Sequence, residues 1–87
     1  MTIDAVARLD REELRTLLAE TIDADVSDVG DDTDFVESLG VDSLMALEVV
    51  VVLERKYGIK FAEQEMRTVR TLNSAYDEVL RKLTERP

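Results

Sequence analysis

The chain has no histidine, no cysteine and no tryptophan, one proline and three glycines in 87 residues. Without cysteine there is no disulfide framework, no thiolate nucleophile and no zinc knuckle. Without histidine there is no side chain whose unperturbed pKa suits proton shuttling at neutral pH. One domain is the sensible count, residues 1–87, with an ordered core over about 9–84. So short a chain buries about 60–65% of its unfolded surface, which makes a modest core without a deep active-site cleft. The N-terminus has neither a basic nor an apolar targeting region. The most apolar stretch, Leu44 to Leu53, is broken by Glu48 and is about half the length of a membrane-spanning helix. A cytoplasmic protein with no membrane partner is the expectation.

What the chain has in excess is acid: 20 Asp and Glu against 11 Lys and Arg, a formal charge of −9. That balance argues against nucleic acid, whose phosphates would repel it. It suits solubility or a basic protein partner. The excess lies in the first half, where residues 1–44 hold 13 acids and 3 bases while residues 45–87 hold 7 and 8. The segment Asp23 to Asp42 holds eight acids and no base.

Periodicity predicts an all-α fold, a small antiparallel four-helix bundle of three longer helices and one short one, with a long loop between the first two. The first seven or eight residues show no pattern and are expected to fray. Asp10 is placed as an N-cap with Glu13 at the capping-box position, and Leu14, Leu17, Leu18 and Ile22 form one stripe of a helix over Arg11 to Thr21. The connection from Ile22 to Val41 runs to about 20 residues, unusual enough to signal function. Val26, Val29, Phe35, Val36 and Leu39 recur through it, so it is expected to pack over the core, with a helical turn at Asp34 to Leu39.

Asp42 and Ser43 are both N-cap types and open the next helix. Apolar residues at helical spacing persist from Leu44 to Tyr57, and Gly58 supplies a stop. Leu47, Val50, Leu53, Tyr57 and Ala46 are read as its core face, flanked by Leu44 and Val51 on one side and Val49 on the other. Met45, Glu48, Val52, Arg55 and Lys56 are read as its outward face. Ile59 and Phe61 return to the core. Ala62 to Arg67 is read as the short helix, with Met66 and Val69 inward. Thr71 caps a last helix to about Thr84, on the stripe Leu72, Ala75, Tyr76, Val79, Leu80 and Leu83.

Few groups offer chemistry. Counted from Asp23, calcium-loop offsets fall on Asp23, Asp25, Ser27, Asp31 and Asp34. However, Asp28 stands where the sharp turn needs Gly, and position 12 is Asp rather than a bidentate Glu, so no EF-hand or other metal site is expected. Ser43 has Asp42 beside it but no base to activate it, and no Gly-rich phosphate loop exists. No catalytic residue, and no independent enzyme, is expected. A serine that opens a helix after a Gly-containing loop is nevertheless exposed, rigidly presented, and close to amides that favour an attached phosphate.

The run Gly40-Val41-Asp42-Ser43-Leu44, followed by Ala46-Leu47-Glu48, Leu53-Glu54 and Tyr57-Gly58-Ile59, resembles the acyl carrier protein family. So does the acidic, Phe-containing turn Asp34 to Gly40 before it, and the last helix from Thr71. The resemblance covers about Leu9 to Leu83. It implies that Ser43 carries covalent 4′-phosphopantetheine from coenzyme A, installed by a phosphopantetheinyl transferase with its own magnesium and base. The arm's thiol then holds acyl groups as thioesters, and the chemistry resides in cofactor and partners. The implied docking residues are Asp42, Leu44 and Glu48 around the serine, with Glu54 further along.

Departures from fatty-acid carriers are Met45 after Asp-Ser-Leu, Arg55 and Lys56 late in the helix, and Ala62 where many members have proline. Asp-Ser-Leu-Met-Ala resembles polyketide-synthase carriers. Met45 and Val52 are therefore expected to join the docking face. A discrete, monomeric polyketide carrier serving an acyltransferase or acyl-ligase, a ketosynthase and other biosynthetic enzymes is the favoured reading. A fatty-acid carrier, an aminoacyl carrier and an unmodified acidic interaction module are the alternatives.

Overall fold

Asp10 sets the start of the first helix. In the computed structural model, which describes residues 9–85, Asp10 has extended backbone and its carboxylate accepts from the amides of Glu12 and Glu13. Helix α1 follows over Arg11–Thr21. The expected reciprocal bond from Glu13 is replaced by a longer reach, since the Glu13 carboxylate meets Lys56 Nζ at 3.0 Å. The fraying expected of the first seven or eight residues concerns positions that, to residue 8, lie outside those described.

Four further helices follow among the described residues: α2 Phe35–Leu39, α3 Ser43–Tyr57, α4 Glu63–Met66 and α5 Leu72–Thr84. The bundle is all-helical, as the periodicity requires. The turn expected before the motif is a helix in its own right, making two short helices beside three long ones. A 3-10 turn at Val26–Asp28 breaks the long connection. The core gathers Leu14, Leu18 and Ala19 of α1, Val49, Val50, Leu53 and Tyr57 of α3, and Leu72, Ala75, Val79 and Leu83 of α5. Ile59, Phe61 and Val69 fill the space between α3 and α5 in the chain and are buried as expected.

Polar side chains from distant elements hold the long connection in place. Arg15 of α1 meets Asp31 at 2.6 Å and donates to the Val29 carbonyl. The Asn73 amide of α5 donates to the Asp31 carbonyl at 3.0 Å, and its side chain donates to Asp32 at 2.7 Å. The Phe35 amide donates to the Arg70 carbonyl at 2.8 Å, while Arg70 Nε meets Asp34 at 3.0 Å. Val29 and Phe35 are thereby buried and Leu39 packs half-buried on the core. Val26 and Val36, expected inward, are 43% and 45% exposed. Val36 follows buried Phe35 in a five-residue helix that buries one face, and Val26 opens a 3-10 turn with no buried residue, the chain re-entering the core at Val29.

Helix α4 is held by one carboxylate. Glu65 accepts from Lys82 Nζ, from the Ala62 amide at 2.7 Å and from Arg81 at 2.7 Å. Lys82 first, then the amide and Arg81, hold its pKa at about 2 against an ordinary 4.5. A folded pKa below the unfolded one contributes stability that is complete above about pH 4.5 and lost as pH falls toward 2. The Tm gap between wild type and Glu65→Gln is therefore expected to be widest at pH 7 and to shrink between pH 4.5 and 2. Melts followed by circular dichroism at three pH values check this. A gap that does not change with pH would show that Glu65 acts through something other than its charge.

Candidate functional site

The approach to Ser43 is built by a helix stop and a helix start, two residues apart. Gly40 ends α2 in the left-handed region (φ 68°, ψ 25°), with its amide donating to the Phe35 carbonyl. The Val41 amide bonds the same carbonyl at 3.0 Å. The Gly40 bond is the six-to-one bond that closes the last turn of α2. A Cβ on Gly40 would touch nothing within 4 Å. Glycine is there for its backbone angle, which would cost an L side chain about 1–2 kcal/mol. Val41 is buried, 6% exposed, and pins the turn to the core. Asp42 then caps α3, its Oδ1 accepting from the Met45 amide at 2.9 Å and its carbonyl from the Ala46 amide at 2.9 Å.

Ser43 is the first residue of α3 and is exposed. Its hydroxyl has no hydrogen-bond partner among the described residues, and the Ser43 and Leu44 amides have no acceptor there. Those amides are orphans that every helix start leaves, at the positive end of its dipole. A free hydroxyl beside them fits a phosphodiester: the oxygen is unhindered as a nucleophile toward phosphorus and the amides can donate to phosphate oxygens. Asp42 spends one carboxylate oxygen on its own helix. Asp34 spends its carboxylate on the Val36 and Glu37 amides and on Arg70. The Glu37 amide, together with Arg70, holds Asp34 below the usual carboxylate range. Most of the acid near Ser43 thus shapes the turn that presents it.

The side of α3 that faces water differs from the expectation. Leu47, read as core, is 48% exposed, and Leu44 is 73% exposed. Met45, read as outward, packs half-buried against the core, and Val52 is only half-buried. Val49, read as a flank, is 1% exposed. The cause is that α3 is apolar almost all round, so its pattern fixes the helix but not its rotation. Leu44, Glu48, Val51 and Arg55 stand at i, i+4, i+7 and i+11 and share one stripe. Glu54 is half-buried and its carboxylate accepts from the Phe61 amide at 2.8 Å, closing the turn after α3. Asp42, Leu44 and Glu48 are thus brought together near Ser43, while Met45 and Val52 lie to one side. Leu47 and Arg70 are the residues that pattern reading missed. An all-round apolar helix is itself the available signal that one apolar strip stays outside.

Residues 12–79 match the family model described as the phosphopantetheine attachment site. The chain belongs to the acyl carrier protein family, whose prosthetic group is phosphopantetheine. It is 49% identical over 75 residues to polyketide-8 synthase acyl carrier protein 2 of Streptomyces avermitilis, covering 86% of each chain. It is 44% identical over 71 residues to the anthracycline acyl carrier protein DpsG of Streptomyces peucetius, covering 79% of this chain and 84% of that one. It is 38% identical over 73 residues to an acyl carrier protein of Acidothermus cellulolyticus, covering 79% and 87%. Membership implies a transferase that installs the arm and biosynthetic enzymes that use it. Among the described residues no helix is long and apolar enough to cross a membrane.

Proposed function

We propose that this chain is a cytoplasmic, non-enzymatic acyl carrier of polyketide biosynthesis, modified on Ser43. The observation that carries the reading is the free, exposed Ser43 hydroxyl at the head of α3, inside the matched region. Its oxygen forms the phosphoester bond while the transferase takes its proton and cleaves the pyrophosphate of coenzyme A, releasing 3′,5′-ADP. The Ser43 and Leu44 amides then stand beside the phosphodiester. When bound, the group supplies a thiol that carries acyl chains as thioesters. The chain's own part is to hold Ser43 clear of the core and to offer a surface that partners read. Ketosynthase and acyltransferase or acyl-ligase are the partner classes. The polyketide setting is supported by the names of the relatives at 49% and 44% identity.

Incubation with coenzyme A, magnesium and a broad-specificity phosphopantetheinyl transferase is the test. Intact mass is expected to rise by one phosphopantetheine, located on Ser43 by peptide sequencing. No gain, or a gain on another residue, would sink the assignment.

The docking surface takes in the start of the exposed stripe and Leu47 next to it: Leu44 and Leu47 supply the apolar contact, with the acids Asp42 and Glu48 around them. Met45 and Val52 contribute less than their sequence positions suggest, and Glu54 acts mainly on the chain's own backbone. Leu44→Ala is expected to lower kcat/KM with a ketosynthase by about tenfold, in the range of a buried interface contact, with Tm unchanged. Met45→Ala is expected to lower Tm instead. The reverse pattern would return the docking role to Met45.

A further inference from the structure

Five of the nine cations among the described residues are spent on the chain's own acids. Arg15, Lys56, Arg70, Arg81 and Lys82 each meet at least one carboxylate within 4 Å. Arg11 bonds Asn73 and lies over the Tyr76 ring. Among the described residues, Arg55, Lys60 and Arg67 are the cations whose side chains have no carboxylate, hydrogen-bond or ring partner. With nearly two acids for every base, an unpaired base is the exception. Two of the three, Arg55 and Lys60, line one open depression of about 460 Å³ with Val51, Glu54, Gly58 and Ile59. Val51 and Ile59 give it an apolar floor. Glu54 tempers its charge, but one oxygen of that carboxylate is held by the Phe61 amide.

This depression lies at the opposite end of α3 from Ser43, about 18 Å along the axis at 1.5 Å per residue. The exposed stripe joins the two ends, running Leu44, Glu48, Val51, Arg55. The surface is therefore bipolar, acidic around Ser43 and basic at the far end. We infer that the depression receives an acidic segment of the partner enzyme, with its carboxylates on Arg55 and Lys60 and an apolar side chain on Val51 and Ile59. This rests on the reading of α3 as the docking helix. It adds that the partner carries basic groups near its active-site mouth and acidic groups about 18 Å away. A second copy of the chain is a poorer occupant, because two bodies of charge −9 repel each other at long range. A small free anion is poorer too, since it would meet the Glu54 carboxylate without a second contact to offset it.

The test uses the loaded, acylated protein with the ketosynthase of its own biosynthetic gene set. Charge reversal in Arg55→Glu/Lys60→Glu is expected to raise KM by about tenfold at physiological salt with kcat within about twofold, as for opposed rim charges. The neutral pair Arg55→Gln/Lys60→Gln is expected to give about threefold, and Arg67→Glu, outside the depression, no change. The reversal effect should shrink as salt rises. An unchanged KM in the reversed variant, with Ser43 fully loaded, would overturn the proposal. So would a wild-type dimer in sedimentation that the reversal abolishes, which would make a second copy the occupant. So would inorganic phosphate shifting the Gly58 to Lys60 amide resonances while KM stays unaffected by either pair of substitutions, which would make the site one for a small anion. Failure of the wild type to gain phosphopantetheine would instead strike the carrier reading itself, and is read separately by mass before any kinetics.

Discussion

Ser43→Ala is expected to abolish phosphopantetheine loading completely while moving Tm by less than about 4 °C. The separation follows from what the hydroxyl does in the fold, where it bonds to nothing among the described residues and faces water. Surface substitutions of that kind stay within about 0.5 kcal/mol, and about 4–8 °C accompanies each kcal/mol in a domain this size. The capping task usually given to a serine in this position belongs to Asp42, whose Oδ1 holds the Met45 amide at 2.9 Å. Alanine at 43 therefore leaves the cap intact and is a good helix former at the first turn. Intact-mass measurement and a thermal melt on the same sample check both halves. A variant that still gains the group would move the attachment to another residue. A variant that melts far lower would show that the serine supports the fold.

Leu53→Ala is expected to have the opposite profile. Leu53 is fully buried at the middle of the core. Removing a leucine from such a site costs about 2–5 kcal/mol, through lost transfer energy and the cavity left behind. At about 4–8 °C per kcal/mol, Tm is expected to fall by about 10–20 °C or more. Domains of this size hold a total stability of about 5–15 kcal/mol, so the variant approaches the edge of folding. Loading of Ser43 is expected to persist at low temperature, where the fold survives, and to fail as the melt begins. Transferase assays across temperature, beside the melting curve, check this. A Tm within 3 °C of wild type would mean that the surrounding side chains collapse into the space.

These two substitutions sit ten residues apart on one helix, and the sequence made them differently legible. Helices α1 and α5 have the limits that caps and stripes predict, Arg11–Thr21 and Leu72–Thr84. Both are amphipathic enough to fix their rotation as well as their extent. Helix α3 is equally clear in extent, through Asp42 at its head and Gly58 at its tail. Its rotation was not legible, because Leu44, Met45, Leu47, Val49, Val51 and Val52 leave no face marked by charge alone. Burial of Val49 in place of Leu47 is decided by packing against other helices, which local pattern does not contain. The serine, its cap and the glycine before it could be read because they act within a few residues of one another. The holders of the long connection could not. Arg15 reaches 16 residues to Asp31, and Asn73 reaches 41 to Asp32. Neither spacing leaves a periodic trace.

Those long reaches bear on the order in which the molecule is assembled. The turn that carries Gly40 and Val41 to Ser43 is anchored from above by Arg70 and Asn73, and α5 itself begins only at Leu72. During synthesis the serine emerges well before the residues that hold its approach. Closing a connection of this length has an entropic cost that local contacts cannot offset until the distant partner arrives. A chain that has reached Tyr57 owns the whole of α3 but not the platform beneath its head. The approach to Ser43 thus depends on residues made some thirty positions after it, so a chain that stops short of Asn73 presents the serine without the contacts that hold its platform.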